Sequence, residues 1–129
     1  KIDNESEAGR VIAAALELAR SLDDELRRCE AIAGVAVTQH ETSRREASDE
    51  TFDAALAAAR SLQTPYRKAH ALAGIAEKLS HCGHHAQTHE ILDEADLVAD
   101  KIPEPDLKQQ TVQKVRSLMG KLPKPKSAT

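Results

Sequence analysis

The sequence predicts an all-α protein, an α-solenoid of about six helices that pack as antiparallel hairpins. One observation is an internal repeat with a period of 40 residues: ALELARSL at 15–22 returns as ALAAARSL at 55–62, and AIAGVA at 31–36 returns as ALAGIA at 71–76. A second is that apolar residues recur at intervals of three and four, the spacing of one helix face. A third is the composition, because 40% hydrophobic and 30% charged residues with 5 glycines and 5 prolines suit helices in water.

The first helix is predicted from about residue 3 to residue 22, with Ile12, Leu16 and Ala19 on its apolar face. Asp24 is the predicted N-cap of the second helix, because a carboxylate there accepts hydrogen bonds from the free amides of the first turn. We expect this second helix to continue to about Gln39.

The third and fourth helices are predicted from their start signals. Ser43 followed by Glu46 has the spacing of a capping box, which predicts a third helix that ends near residue 61. Thr64 followed by Pro65 predicts the start of the fourth helix, because proline at the first helical position lacks only an amide hydrogen that would have no partner. Gly83 then predicts a sharp turn into the fifth helix.

The fifth helix is predicted to end near Lys101, and the sixth to run from Pro105 to about Met119. On the sixth helix, polar residues replace the small residues of the earlier unit: Gln109, Thr111, Gln113 and Lys114 stand where the fourth helix has Ala69, Ala71, Ala73 and Gly74. We therefore expect that face to meet water and the array to end there. Residues 123–129 carry two prolines and no apolar periodicity, which predicts a disordered tail.

Residues 1–122 are thus predicted to form one helical-repeat domain with units at about 3–42, 43–82 and 83–122. The chain has no apolar run long enough for a membrane span and no apolar signal-peptide core near its start. These features and the few cysteines favour a cytoplasmic location without membrane association. The net charge of -3 gives no general reason to bind nucleic acid.

Eight residues between 72 and 95, a span offset from the units above, resemble the tetratricopeptide pattern of large and small side chains: Leu72, Ile75, Ala76, Leu79, Gly83, Thr88, Leu92 and Ala95. The preceding unit follows the same spacing from Ile32 to Ala55, with Gln39 and Ser43 in place of a large residue and the glycine. The period of 40 is longer than the family's roughly 34, and a HEAT-like array is the alternative. In this phasing the first helix lacks its partner, so we expect a further segment before residue 1.

The tetratricopeptide resemblance implies a right-handed superhelix whose second, fourth and sixth helices line a concave groove. It also implies a non-enzymatic scaffold that binds a protein or peptide partner. The implied partner-binding residues are Glu30, Val37, His40, His70, Glu77, Gln110 and Gln113. The main alternative is a structural spacer or regulatory segment of a larger protein. An RNA-binding helical repeat and a zinc-binding protein are further alternatives, although the near absence of aromatic residues disfavours RNA.

Basic residues near helix starts offer a second candidate surface, because cations there oppose the helix dipole and call for another partner. Arg27, Arg28, Arg67 and Lys68 are the candidate contacts for an anionic partner, and Lys108 occupies the same position in the sixth helix. The alternative, which the sequence favours, is that these side chains are simply solvated.

The remaining cluster of possible metal ligands lies around the turn predicted at Gly83, between the fourth and fifth helices: His81, Cys82, His84, His85 and His89. Imidazole and thiolate are zinc ligands, but no matching set recurs 40 residues earlier, so we expect no metal site and no cofactor. Five acidic residues on the fifth helix are interpreted as its solvated face, and Cys29 as an inert core residue. No catalytic motif is present, and we expect no enzymatic activity.

Overall fold

The computed structural model describes the backbone of residues 2–21 and 24–122, and the side chains of 9–21 and 24–122. All its regular structure is helical, which confirms the predicted all-α class with six helices. The helices are α1 (Ile2–Arg20), α2 (Glu25–Glu41), α3 (Arg45–Arg60), α4 (Pro65–His81), α5 (His85–Ala99) and α6 (Pro105–Gly120). Two predictions concern residues outside the described ones: that the first helix includes Leu22, and that residues 123–129 are disordered.

Local sequence explains where three of the helices begin. The Asp24 carboxylate accepts hydrogen bonds from the amides of Leu26 at 3.0 Å and Arg27 at 3.2 Å, so it caps α2 as predicted. Pro65 and Pro105 stand in the first turns of α4 and α6, where a missing amide hydrogen costs nothing.

The predicted capping box at Ser43 and Glu46 is wrong. The residue before α3 is Arg44, which makes no side-chain capping bond, and Ser43 has a left-handed backbone with φ 65°. The amide of Ser43 donates to the carbonyl of His40, and that of Arg44 to the carbonyl of Gln39, which closes the end of α2 as a Schellman motif. Ser43 therefore ends one helix rather than starting the next.

The same turn recurs between α4 and α5, where Gly83 has φ 86°. Its amide donates to the carbonyl of Ser80, and the amide of His84 donates to that of Leu79. The two turns are equivalent at a spacing of 40 residues, so the sequence repeat is also a backbone repeat.

The helices pack in two groups. The most extensive contacts join α2 with α3 and α4 with α5, so these pairs are the antiparallel hairpins of the fold. We call α2, α4 and α6 the inner helices, because α4 contacts both of the others. We call α1, α3 and α5 the outer helices, and among the described residues these make no backbone contact with one another. The inner helices therefore form the closely packed layer.

The core is built from aliphatic residues and alanine. Leu72, Ile75, Leu79, Leu92 and the single phenylalanine, Phe52, are its largest fully buried side chains. Each stabilises the fold by roughly 1.5–3 kcal/mol relative to exposure. Alanines such as those at 33, 36, 73 and 76 are also fully buried, and their small size lets neighbouring helices approach closely.

On α6, Gln109, Gln113 and Lys114 are exposed, as predicted for a helix at the end of an array. Thr111 is the exception, because it is only 1% exposed. Its hydroxyl donates to the Leu107 carbonyl at 2.8 Å, which satisfies it locally and allows it to pack toward α4.

Candidate partner-binding face

Two of the predicted groove residues lie where one inner helix meets the next. Oε2 of Glu30 on α2 lies 3.4 Å from the position that a Cβ at Gly74 on α4 would occupy. Forty residues later, His70 on α4 places its Nε2 3.4 Å from the Thr111 hydroxyl on α6. Both residues are half-buried, so they pack neighbouring inner helices together and present only part of their surface.

The surroundings of His70 favour its neutral form. Its ring lies 4.4 Å, centroid to centroid, from that of Tyr66. Burial lowers the pKa of His70 below its usual 6.5, and the nearby Lys114 ammonium lowers it further. At neutral pH His70 is therefore an uncharged hydrogen-bonding group between α4 and α6.

Val37 and His40 also lie partly inside the fold. Val37 is half-buried and packs against the core cluster. The ring of His40 lies edge-on to that of His84 at 6.0 Å, and His84 in turn lies edge-on to Phe52 at 6.2 Å. These rings lie together between the end of α2, the middle of α3 and the α4–α5 turn.

The remaining predicted groove residues, Glu77, Gln110 and Gln113, are exposed. Glu77 also lines a cavity of about 260 Å³ between the C-terminal turns of α4 and α6. Lining it are Glu77, Ser80 and His81 of α4, Thr88 and Leu92 of α5, and Leu118, Lys121 and Leu122 at the end of α6. The cavity thus combines leucine walls with a polar rim of two opposite charges and an imidazole.

Comparison with the preceding unit explains part of this space. Ser80 and Leu92 occupy the positions that His40 and Phe52 hold 40 residues earlier, where the two rings fill the corresponding region. The position equivalent to His84 is residue 124, which lies outside the described residues. Sequence analysis did not predict the cavity. The replacement of two ring side chains by smaller ones at equivalent repeat positions could have indicated it.

The basic residues at helix starts do not form a single patch. Arg27 and Arg67 are exposed, whereas Lys68 is half-buried. Arg28 is also half-buried and has interactions of its own. Lys108 forms an ion pair with Asp100, with Nζ 3.3 Å from Oδ1. These positions therefore include both solvated and partnered side chains.

The histidine cluster is divided between two contacts with the preceding unit. His81 lies 3.0 Å from the Glu41 carboxylate on α2, and His84 lies 3.7 Å from that of Asp49 on α3. Across the described side chains, no three His, Cys, Asp or Glu residues converge as metal ligands. The imidazoles of His81 and His84 instead contact helices of the preceding unit.

Two acids of α5 contact cations on other helices. Glu94 accepts two hydrogen bonds from the Arg60 guanidinium on α3, at 2.9 and 3.0 Å, and so links two outer helices. Asp96 lies 3.5 Å from Arg116 Nε on α6. These carboxylates thus serve contacts between helices.

Cys29 and Cys82 are both buried and free. Burial is the main cause that raises the pKa of each thiol, so both stay protonated at neutral pH. Cys29 is 1% exposed within the core, the position predicted from its helix face. Along the described part of the chain, no helix combines the length and apolar character needed to cross a bilayer.

Comparison with known proteins supports the fold. No family model matches the chain, and no curated protein matches it. The crystal structure of Ton1535 from Thermococcus onnurineus NA1 is similar, with a TM-score of 0.79 and 20% sequence identity. The match covers 86% of this chain and 32% of Ton1535, so the chain spans about a third of that protein's length. At this identity the likeness concerns the fold alone.

Proposed function

We propose that this chain is a tetratricopeptide-like scaffold that binds a protein or peptide partner on its inner helices and catalyses no reaction. The observation that carries the proposal is the cavity beside Glu77, where an exposed charged rim surrounds leucine walls. Such a site can accept an apolar side chain while the rim orients the polar groups on either side of it.

The size of the cavity favours a side chain over a cofactor. Its volume of about 260 Å³ is below the roughly 300–1,000 Å³ typical of small-molecule pockets. The proposed ligand is a peptide segment with one large aliphatic residue that contacts Leu118 and Leu122. A basic neighbour would complement Glu77, and an acidic one would complement Lys121.

Two other exposed residues from the predicted groove, Gln110 and Gln113, would extend this site. Gln110 and Gln113 lie on α6, the helix that also supplies Leu118 to the cavity. Their amides offer donors and acceptors to a peptide backbone. Glu30 and His70 lie between the inner helices that carry this surface, Glu30 between α2 and α4 and His70 between α4 and α6.

The test begins with selection of peptides from a displayed random library on the full chain. Enriched peptides are then titrated by fluorescence anisotropy against the chain and against a Ser80→His, Leu92→Phe double variant. The preceding unit packs His40 and Phe52 at these positions, so the double variant should fold and fill the cavity.

We expect the double variant and Glu77→Arg each to weaken binding by about tenfold or more, because they remove the apolar site or reverse a rim charge. Glu90→Arg is the matched control, since Glu90 is an exposed glutamate on α5 outside the cavity. Equal affinity for all variants with native helicity, or failure to enrich any specific peptide, would count against the proposal.

A further inference from the structure

A groove between α1 and α2 lies at the end of the helix stack away from α6. Seven uncharged residues line it, and its volume is about 330 Å³: Ala15, Leu18, Ala19, Ala31, Gly34, Val35 and Thr38. Leu18 is 68% exposed, and Val11, seven residues earlier on the same helix, is 64% exposed. Large apolar side chains exposed beside an apolar groove indicate an interaction surface.

The corresponding groove one unit later is buried. Its residues are Ala55, Ala58, Ala59, Ala71, Gly74, Ile75 and Lys78, each 40 positions after its counterpart. Ala55, Ala71 and Ile75 are 0% exposed there, whereas Ala15 is exposed and Ala31 is half-buried in the first groove. The difference lies in what covers the two grooves.

The helix that covers the second groove is α2. It contacts both α3 and α4, the two helices that form that groove. The Glu30 carboxylate lies against Gly74, and Ile32, Ala33 and Ala36 of α2 share one core cluster with the buried groove residues. An amphipathic helix thus docks there through small and branched apolar residues, with a carboxylate beside the glycine.

The third groove has the same arrangement. It lies between α5 and α6, and α4 contacts both helices. Within it, Ala95 and Val115 are 0% exposed, and Thr111 is 1% exposed beneath His70. The chain therefore shows twice that a groove between an outer and an inner helix is covered by another inner-type helix.

From this repetition we infer that the α1–α2 groove docks an amphipathic helix of a partner protein. The docking face of that helix carries small and branched aliphatic residues with the spacing of Ile32, Ala33 and Ala36. A longer polar side chain is accommodated beside Gly34, because a Cβ there would meet no atom within 4 Å. The inference is independent of the cavity beside Glu77.

A second copy of this chain suits the groove less well. At the α6 end the exposed side chains are polar, and they include Gln109, Gln113 and Arg116. Apart from Leu97, the described large apolar side chains of α2 to α5 are buried or partly buried. Among the described residues, α1 of another copy would offer the larger exposed apolar surface, through its own Val11 and Leu18, and sedimentation velocity tests this arrangement.

The probe for the groove is a labelled peptide of residues 24–42, which is α2 with its cap residues, carrying Cys29→Ala to prevent oxidation. Fluorescence anisotropy measures its binding to the full chain. Leu18→Glu places a charge in the groove, and Gly34→Gln obstructs it without a clash in the fold. Leu97→Glu is the matched control, because Leu97 on α5 is 70% exposed and lies outside the groove.

We expect saturable binding that Leu18→Glu and Gly34→Gln each weaken by about tenfold or more, with Leu97→Glu unchanged. Circular dichroism confirms that every variant keeps its helicity. Absence of saturable binding, or equal affinity for all variants, would overturn the inference. So would a dimer of the native chain that Leu18→Glu converts to a monomer, because a second copy would then occupy the groove.

Discussion

Replacing Ser43 with glycine should stabilise the fold. Ser43 has φ 65° in the turn after α2, and its side chain is exposed without a hydrogen bond among those described. A left-handed conformation costs an ordinary L-residue roughly 1–2 kcal/mol. Glycine removes that cost but loses about 0.5–1 kcal/mol through the greater freedom of its unfolded chain. The expected net gain in the free energy of unfolding is therefore about 0.5–1 kcal/mol.

Urea unfolding followed by circular dichroism measures this gain. The repeat supplies the reciprocal variant, Gly83→Ser, because Gly83 has φ 86° in the equivalent turn. It should lower the free energy of unfolding by a similar amount, and the variant with both substitutions should lie near the native chain. If Ser43→Gly lowered the stability, the account of this turn as a strained Schellman motif would be refuted.

Two further substitutions test the core and the α4–α6 contact. Phe52→Leu introduces the residue that the next unit has at the equivalent position, Leu92. Because Phe52 is only 1% exposed, the smaller side chain should leave a cavity and lower the free energy of unfolding by about 1 kcal/mol. An unchanged urea midpoint would contradict this account of the packing around Phe52. Burial lowers the pKa of His70 below its usual 6.5 in the folded state. As the pH falls through that value, His70 is therefore protonated in the unfolded state before it is protonated in the folded state, and the free energy of unfolding should decrease. His70→Gln should reduce this loss in urea titrations between about pH 7 and pH 5, and an identical pH dependence in both chains would argue against it.

Helix periodicity made most of the fold predictable. The intervals of three and four among apolar residues depend only on local sequence, and the 40-residue repeat placed the turns. Asp24 and Pro65 were read correctly because a cap and a first-turn proline act within one turn. The prediction at Ser43 is wrong because the spacing to Glu46 fits a capping box, whereas the backbone at the end of α2 decides the conformation of Ser43.

Contacts between units were not readable from local patterns. Thr111 looks like a surface residue in a polar helix, yet α4 packs over it and its hydroxyl is satisfied within α6. The cavity beside Glu77 depends on side chains from three helices and on the smaller volume of Leu92 compared with Phe52. A residue-by-residue comparison of the units can suggest such differences, but only the packed structure shows which of them leave space.

The position of a helix within the stack decides whether residues at equivalent repeat positions pack against a neighbouring helix or are exposed. Glu30, His70 and Gln110 occupy the same position in successive inner helices. Glu30 packs on α4 and His70 on α6, whereas no inner helix follows Gln110 within the described residues, and it is exposed. The same logic places both candidate binding surfaces at the ends of the stack. Central units use their small-residue grooves to pack against one another, so we expect a partner to bind where that packing stops.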